Sequence, residues 1–153
     1  MLDERSTVGY IQFRMIPNKS MRETAQRDIV YQEVLKASDH PVAEVIYQRI
    51  HAKNPKLSRS TVYRNLHILV AQGKILGVSV PKGPEHFDRT LEAHYHVQCE
   101  VCGAVSDITV SGQDEQKVVD AGGYTAVTRK VLYYGICPKC KKAREAQNTT
   151  IGV

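Results

Sequence analysis

The chain has 153 residues, 42% hydrophobic and 24% charged, a balance that excludes a disordered polymer and favours a globular fold. No apolar stretch reaches membrane-spanning length, and the acidic residues Asp3 and Glu4 are unlike a secretory signal, so we expect a cytoplasmic protein with no membrane partner. The formal net charge of +5 favours an anionic partner.

Three helices are predicted after an arm at residues 1–20 that the pattern does not assign. Thr24 is the predicted N-cap of the first helix, and Asn54-Pro55 ends the second. The third helix is predicted to begin after Ser58 and to end at Gly73. Two strands, at 75–80 and on through Phe87, then form a hairpin around a Pro-Lys-Gly-Pro turn. This order predicts a winged helix-turn-helix domain over residues 1–88.

The third helix carries a polar face opposite its apolar stripe. Arg59 and Tyr63 lie one turn apart on this face, where they could reach the major groove of double-stranded DNA. Residues 49–67 also contain five basic residues and no acidic residue. An ordinary solvated helix face is the alternative. The predicted DNA-contacting residues are Arg59, Ser60, Thr61, Tyr63, Arg64 and, on the first helix, Arg27.

The second half, residues 89–153, has a mixed pattern. Strands are predicted at 94–98, 104–110 and 125–136, and a short helix at roughly 113–121. Together with the helical first half, this predicts an α+β protein of two small domains. Because two small domains have thin hydrophobic cores, we expect a metal or a partner subunit to stabilise them.

The four cysteines form two Cys-x-x-Cys pairs, Cys99/Cys102 and Cys137/Cys140. Each pair can aim two thiolates at one point, and four thiolates make the closed, tetrahedral form of a structural zinc site. Rubredoxin-like iron, a thioredoxin-type redox pair and disulfides are the alternatives. A redox pair needs only one such motif, and disulfides are rare in a reducing compartment. The pattern therefore favours Zn(II).

A second candidate site contains histidines and aspartates. His94 and His96 alternate on a predicted strand, so both imidazoles face one side, and the returning strand brings Asp107 opposite them. Asp88 and His40 add ligands from the first half. Such an all-nitrogen-and-oxygen set suits Fe(II) or Mn(II) and would also accept Zn(II).

Ordinary core or surface histidines and strand-end acids are the alternative to this site. The remaining histidines, His51, His67 and His86, lack comparable neighbours and are expected to face solvent.

Taken together, these motifs resemble the ferric-uptake-regulator (Fur) family of metal-responsive repressors over about residues 21–140. The residues that carry the resemblance are Met21–Arg27, His40-Pro41, Ser60–Leu66, Phe87-Asp88, His94–His96, Cys99-x-x-Cys102-Gly103, Asp107 and Tyr134–Cys137-x-x-Cys140. The resemblance implies a homodimer, an α/β dimerisation domain with a four-cysteine zinc, and a regulatory metal at His40, Asp88, His94, His96 and Asp107.

Within the family, aspartate at positions 88 and 107 resembles the peroxide-sensing (PerR-like) branch, where iron-uptake members usually have glutamate. In that branch bound Fe(II) reacts with hydrogen peroxide and a ligand histidine is oxidised; the matching positions are His40 and His94. The resemblance thus implies a repressor that binds operator DNA and no small organic substrate, rather than an enzyme. An iron- or manganese-uptake regulator and a non-haem iron enzyme are the alternatives.

Overall fold

The computed structural model describes residues 19–111, 120–125 and 127–149. Its elements, in chain order, are α1 (Lys19–Lys36), α2 (Ala43–Lys53), α3 (Arg59–Ala71), β1 (Leu76–Val78), β2 (His86–Asp88), β3 (Tyr95–Cys99), β4 (Val105–Ile108), β5 (Leu132–Gly135) and α4 (Pro138–Thr149). No helix within these ranges is both long enough and apolar enough to span a bilayer. The prediction of an α+β fold is confirmed.

The helices of the first half enclose one aliphatic core. Helix α1 contributes Val30 and Val34, α2 contributes Ile46, and α3 contributes Val62 and Leu66, each completely buried. These residues recur at the three- and four-residue spacing that keeps side chains on one helix face. Ile75 and Phe87 close this core from the side of the β1–β2 hairpin, so the hairpin packs against the helices as the wing of a winged helix.

Helix α1 begins earlier than predicted. Thr24 is not its N-cap, because the helix already starts at Lys19 and the Thr24 hydroxyl donates to the Ser20 carbonyl oxygen over 3.0 Å. A threonine inside a helix often donates a hydrogen bond to the carbonyl oxygen four residues before it. Because threonine is also a common N-cap, the sequence alone does not distinguish the two roles. The arm at residues 1–18 lies outside the described residues.

Both predicted ends of α3 are confirmed. The Ser58 side chain accepts a hydrogen bond from the Thr61 N–H at 3.2 Å, which satisfies a free donor of the first turn. At the other end, Gly73 has a left-handed φ of +65°. The N–H groups of Gly73 and Lys74 donate to the carbonyls of Val70 and Leu69, which is the Schellman arrangement.

The second half forms a three-stranded sheet in the order β4-β3-β5. Strand β3 pairs antiparallel with β4 and parallel with β5, with Cys99 opposite Gly135. The predicted strand at 125–136 is too long, because of its described residues only Leu132–Gly135 pair. Residues 112–119, which hold most of the predicted helix at 113–121, lie outside the described residues, and Asp120 and Ala121 are not helical.

Helix α4 was not predicted. It begins at Pro138, inside the second cysteine pair, where the fixed φ of proline suits a first helical turn.

Candidate metal centres and nucleic-acid interface

The four cysteines converge at one edge of the second sheet. Cys99 ends β3, and the turn through Gly103, at φ +77°, returns Cys102 toward it. Because β3 and β5 run parallel, Cys137 follows β5 at the same edge, and Cys140 lies in the first turn of α4. All four ligand sulfurs lie within 4.8 Å of one another; we call these residues the cysteine site.

The spacing of the sulfurs fits a tetrahedral cation. Cys102 Sγ lies 3.8 Å from Cys137 Sγ, and all four cysteines are free, so no disulfide is present among them. Four Zn–S bonds of about 2.3 Å place neighbouring sulfurs about 3.8 Å apart. The donor set and its spacing therefore fit zinc.

The charge balance of the cysteine site also calls for a cation. Backbone N–H groups of Cys102 and Cys137 lower the pKa of the Cys99 thiol to about 6. The neighbouring thiols, Cys137 first, raise the pKa of Cys140 to about 12. The Cys99 thiol therefore ionises readily, whereas ionisation of the Cys140 thiol is strongly disfavoured. A positive ion at the centre would allow all four to be thiolates at once.

The predicted histidines and aspartates also meet, at the junction of the two halves. Strand register places His96 opposite Asp107, and His94 directly precedes β3. Asp88 ends β2, and His40 lies in the turn between α1 and α2. One ligand atom from each residue lies within 4.8 Å of all the others; we call these five residues the His/Asp site.

The distances within the His/Asp site match those between ligands of one ion. His94 Nε2 lies 2.8 Å from Asp88 Oδ2 and 3.1 Å from Asp107 Oδ1. His40 Nε2 lies 2.9 Å from Asp107 Oδ1. Ligands at right angles, each about 2.1 Å from an ion, are about 3.0 Å apart. The geometry fits a first-row divalent cation.

A hydrogen bond orients the His94 imidazole for such an ion, and the His40 imidazole is left with an unsatisfied nitrogen. His94 Nδ1 lies 2.6 Å from the Glu92 carbonyl oxygen and must donate to it, so the Nε2 lone pair of the neutral ring faces the site. That lone pair is 2.9 Å from His96 Nε2. Nε2 of His40 is fully buried and makes no hydrogen bond, despite its short distance to Asp107. A buried nitrogen without a hydrogen bond is costly unless a cation occupies the centre of the cluster.

The surroundings of the His/Asp site lower the pKa of two of its ligands and raise the pKa of a third. Burial raises the pKa of Asp88, but the Thr90 N–H and the His96 ring outweigh it and lower the pKa overall. Burial lowers the pKa of His96, which favours its neutral, metal-binding form. Burial also lowers the pKa of His94, but its bond to Glu92 and the two aspartates raise that pKa overall. The result is an ionised carboxylate beside a ready imidazole ligand.

His86 supports the site and was not recognised as doing so. The expectation that it faces solvent is wrong: it is buried, and its Nδ1 donates to the His40 carbonyl oxygen over 2.6 Å. The backbone on either side is also joined, because Phe87 N–H donates to the Pro41 carbonyl and Val42 bridges to His86. His51 and His67 are exposed, as predicted.

The predicted DNA-contacting residues do not share one environment. Ser60 and Arg64 are exposed on α3, and Thr61 is half-buried beside the Ser58 cap. Arg59 and Tyr63 both contact Glu44 of α2, the arginine by an ion pair and the tyrosine by a hydrogen bond. Burial is the larger cause that raises the pKa of Tyr63, and the hydrogen bond to Glu44 raises it further. Arg27 is half-buried, and its Nε makes no hydrogen bond within the described residues.

Sequence reasoning missed three polar residues around these surfaces. Glu44 gave no signal beyond its position in a helix. Asp39 and Arg49, joined by two hydrogen bonds of 2.6 and 3.1 Å, fix the turn before His40 onto α2. Their separation in sequence is not a helical repeat, so only the folded chain brings them together.

Comparisons with known proteins agree with this architecture. Residues 18–134 match the Ferric uptake regulator family. The chain is 31% identical over 124 residues to the peroxide operon regulator of Bacillus subtilis, covering 80% of this chain and 86% of that protein. It is 30% identical over 127 residues to the peroxide-responsive repressor PerR of Staphylococcus epidermidis, covering 80% and 83%.

Solved structures show the same fold. The peroxide stress regulator of Campylobacter jejuni aligns with a TM-score of 0.58 and 25% identity over 79% of this chain and 93% of that one. The ferric uptake regulator Fur of Helicobacter pylori aligns with a TM-score of 0.61 at 20% identity, over 80% and 87%. The relatives are regulators and repressors, so the prediction of a metal-dependent regulator rather than an enzyme is confirmed. On these matches, the chain belongs to the ferric uptake regulator family.

Proposed function

We propose that this regulator represses transcription as a homodimer and senses hydrogen peroxide at the His/Asp site. The carrying observation is the convergence of five nitrogen and oxygen ligand atoms from both halves of the chain on one point, with a buried His40 Nε2 that has no hydrogen bond. The names of the Bacillus and Staphylococcus relatives support the choice of peroxide as the signal.

The two sites take different metals. We assign Zn(II) to Cys99, Cys102, Cys137 and Cys140, because thiolates suit this ion and the set leaves no open position. We assign Fe(II) or Mn(II) to His40, Asp88, His94, His96 and Asp107, whose imidazoles and carboxylates suit these harder cations.

The His/Asp site joins the two halves. His40 and Asp88 are anchored on the winged helix, whereas His94, His96 and Asp107 belong to the second sheet. Ligation therefore favours one arrangement of the halves over all others, and DNA affinity follows metal occupancy. We propose that the domain division lies at residues 88/89, between β2 and β3.

Peroxide would reverse this arrangement through the ligands themselves. Ferrous iron held by these five residues would supply the redox chemistry that activates hydrogen peroxide. Overall, the peroxide O–O bond would break, one oxygen atom would be added to a ring carbon of His40 or His94, and the other would leave as water. The oxidised imidazole would lose its affinity for the metal. Without one of these imidazoles, the metal would no longer fix the orientation of the two halves, and the repressor would dissociate from DNA.

The homodimer is proposed to form through the second half. Tyr133, Tyr134 and Ile136 are 37%, 52% and 44% exposed on or just after β5, and Tyr124 is 81% exposed. Exposed aromatic and aliphatic side chains grouped on one domain are typical of a protein interface. Two winged helices related by a dyad would bind a palindromic operator in the cytoplasm, with Arg59, Ser60, Thr61, Tyr63, Arg64 and Arg27 as the proposed contacts.

The test compares the Fe(II) and Mn(II) forms before and after hydrogen peroxide. We expect the Fe(II) form to lose its gel shift, and mass spectrometry to find one added oxygen on a peptide containing His40 or His94. The Mn(II) form, which does not reduce peroxide in this way, should keep both its mass and its DNA. Oxidation confined to cysteine or methionine, or an Fe(II) form that stays on DNA, would instead indicate an iron- or manganese-uptake regulator.

A further inference from the structure

Glu44 is an isolated negative charge in a basic stretch of the sequence. It is the only acidic residue between Asp39 and Glu85, a stretch that contains seven lysines and arginines. It lies in the first turn of α2, is 35% exposed to solvent, and contacts α3 through Arg59 and Tyr63. A carboxylate here repels the phosphates that the surrounding positive charge attracts.

Both oxygens of Glu44 are engaged by the proposed DNA-contacting residues. Oε1 lies 3.1 Å from Arg59 Nη2 and accepts from Gln48 Nε2, and Oε2 accepts from the Tyr63 hydroxyl over 3.2 Å. The Arg59 guanidinium also lies over the Tyr47 ring, 5.0 Å from its centroid. Arg59 is thus held by two neighbours in the absence of DNA.

The ion pair is nevertheless replaceable. Arg59 is 62% exposed, and a solvent-exposed pair contributes about 0–1 kcal/mol. A DNA phosphate can displace the carboxylate from Arg59, but it must then lie near the negative charge of Glu44. While Arg59 stays paired with Glu44, it releases no counterion from DNA, which removes one contribution to sequence-independent affinity.

We propose that Glu44 is a specificity-determining residue that suppresses sequence-independent DNA binding by neutralising Arg59, while it orients Tyr63 for the operator. This inference rests on the proposed function, since it requires α3 to be the DNA-binding helix. Glu44→Gln keeps an oxygen acceptor for the Tyr63 hydroxyl and removes only the charge. The variant should therefore gain affinity for any duplex while it keeps the operator contacts.

The experiment uses the full-length Mn(II)-loaded protein and two fluorescent duplexes. One is a palindrome selected from a random library by the wild-type protein, and the other is the same duplex with its sequence scrambled. We expect Glu44→Gln to bind the scrambled duplex about tenfold more tightly at about 0.1 M salt, with a salt slope steeper by about 0.9. Operator affinity should rise by less, so the specificity ratio falls.

Glu33→Gln is the matched control. It makes the same charge change on α1, where Glu33 forms an ion pair with Lys53 at 3.5 Å. Within the described residues, Glu33 has no hydrogen bond or ion pair with any of the proposed DNA-binding residues. Its affinity for the scrambled duplex should stay within about twofold of wild type. Equal effects of the two substitutions, or weaker scrambled binding by Glu44→Gln, would overturn the inference.

A double-mutant cycle tests whether Glu44 acts through Arg59. In the Arg59→Gln background, Glu44→Gln should no longer change the salt slope, because the arginine it neutralised is gone. A slope change that persists in this background contradicts the assignment. A wild-type protein that shows no metal-dependent preference for any selected duplex would refute the proposed function itself, whereas a normal wild type with an unchanged Glu44→Gln ratio refutes this inference alone.

Discussion

His40 adopts a left-handed backbone with φ +45°, a conformation that non-glycine residues rarely hold without support. The support comes from His86 on β2, which is not one of the five proposed ligands. Its Nδ1 donates a hydrogen bond to the His40 carbonyl oxygen. A small loss of backbone order at this position would move Nε2 away from the ion. We therefore treat His86 as a positioning residue for the metal.

Substitution of His86 should weaken metal binding without touching a ligand. We expect His86→Ala to reduce Mn(II) affinity about tenfold, the low end of effects for supporting hydrogen bonds. His86→Asn, whose side-chain amide can still donate to the carbonyl, should recover most of the affinity. Calorimetric titration of the zinc-loaded protein measures both, with the exposed His67→Ala as the control. Wild-type affinity in His86→Ala would show that His40 holds its conformation unaided.

Loss of a proposed ligand should separate metal response from folding. His94 is part of the His/Asp site but lies outside the aliphatic core. His94→Ala should abolish the stimulation of DNA binding by Mn(II), while zinc content and the thermal midpoint of the metal-free form stay near wild type. Gel shift, elemental analysis and circular dichroism give the three readouts. Retained stimulation would exclude His94 as a ligand.

The ligand positions and their supports differ in how far the sequence predicts them. The sequence predicts that His94 and His96, two residues apart, face one side, and that a turn returns Asp107 opposite them. The strand register confirms that His96 lies opposite Asp107, although His94 directly precedes β3. His86 also lies on a strand, but its partner is 46 residues away in sequence. Such a contact depends on the tertiary packing of β2 against the α1–α2 turn, which local rules do not contain.

At the scale of elements, α3 is the one whose ends are specified most fully. Ser58 caps the N-terminus and Gly73 the C-terminus, and both can be predicted from the sequence. Ser58 supplies an acceptor for a free N–H of the first turn, and Gly73 adopts the left-handed backbone that ends the helix. α1 and β5 were predicted less well. The α1 start depends on helix-forming residues before Thr24, and β5 is short because only its last part meets β3.

The C-terminal cap of α3 can be tested by a change that alters only a backbone preference. A methyl group at Gly73 would meet no heavy atom within 4 Å, so the cost of Gly73→Ala is conformational. We expect a loss of about 1 kcal/mol in the free energy of unfolding, and a smaller loss for Gly73→Asn, which tolerates a left-handed backbone better. Urea unfolding measures both. Equal stability of the alanine variant and wild type would mean that the turn relaxes.

At the scale of the whole molecule, the two metals should be separable. A chelator such as EDTA should remove the metal of the His/Asp site first, because imidazoles and carboxylates hold Fe(II) or Mn(II) more weakly than four thiolates hold Zn(II). DNA binding should be lost while zinc and the proposed homodimer remain. Elemental analysis and sedimentation follow the two metals and the assembly. Simultaneous loss of both metals would contradict independent sites.

Breaking the cysteine site should have the broader effect. Cys102→Ser leaves three thiolates, and we expect loss of zinc together with loss of the proposed homodimer, since Cys99 and Cys137 would no longer hold the ends of β3 and β5 together. His94→Ala serves as the comparison that keeps zinc. A zinc-free Cys102→Ser protein that remained dimeric would show that the sheet does not depend on the ion.

Strand β3 is five residues long and has a metal site at each end, with His96 near its start and Cys99 at its close. Order at one end is therefore transmitted to the other through a single short run of backbone. The His/Asp site would then form only in protein that has already bound zinc, whatever the supply of iron or peroxide. A cell starved of zinc would accumulate protein that cannot respond to peroxide. Its peroxide response would therefore depend on a metal that takes no part in the redox chemistry.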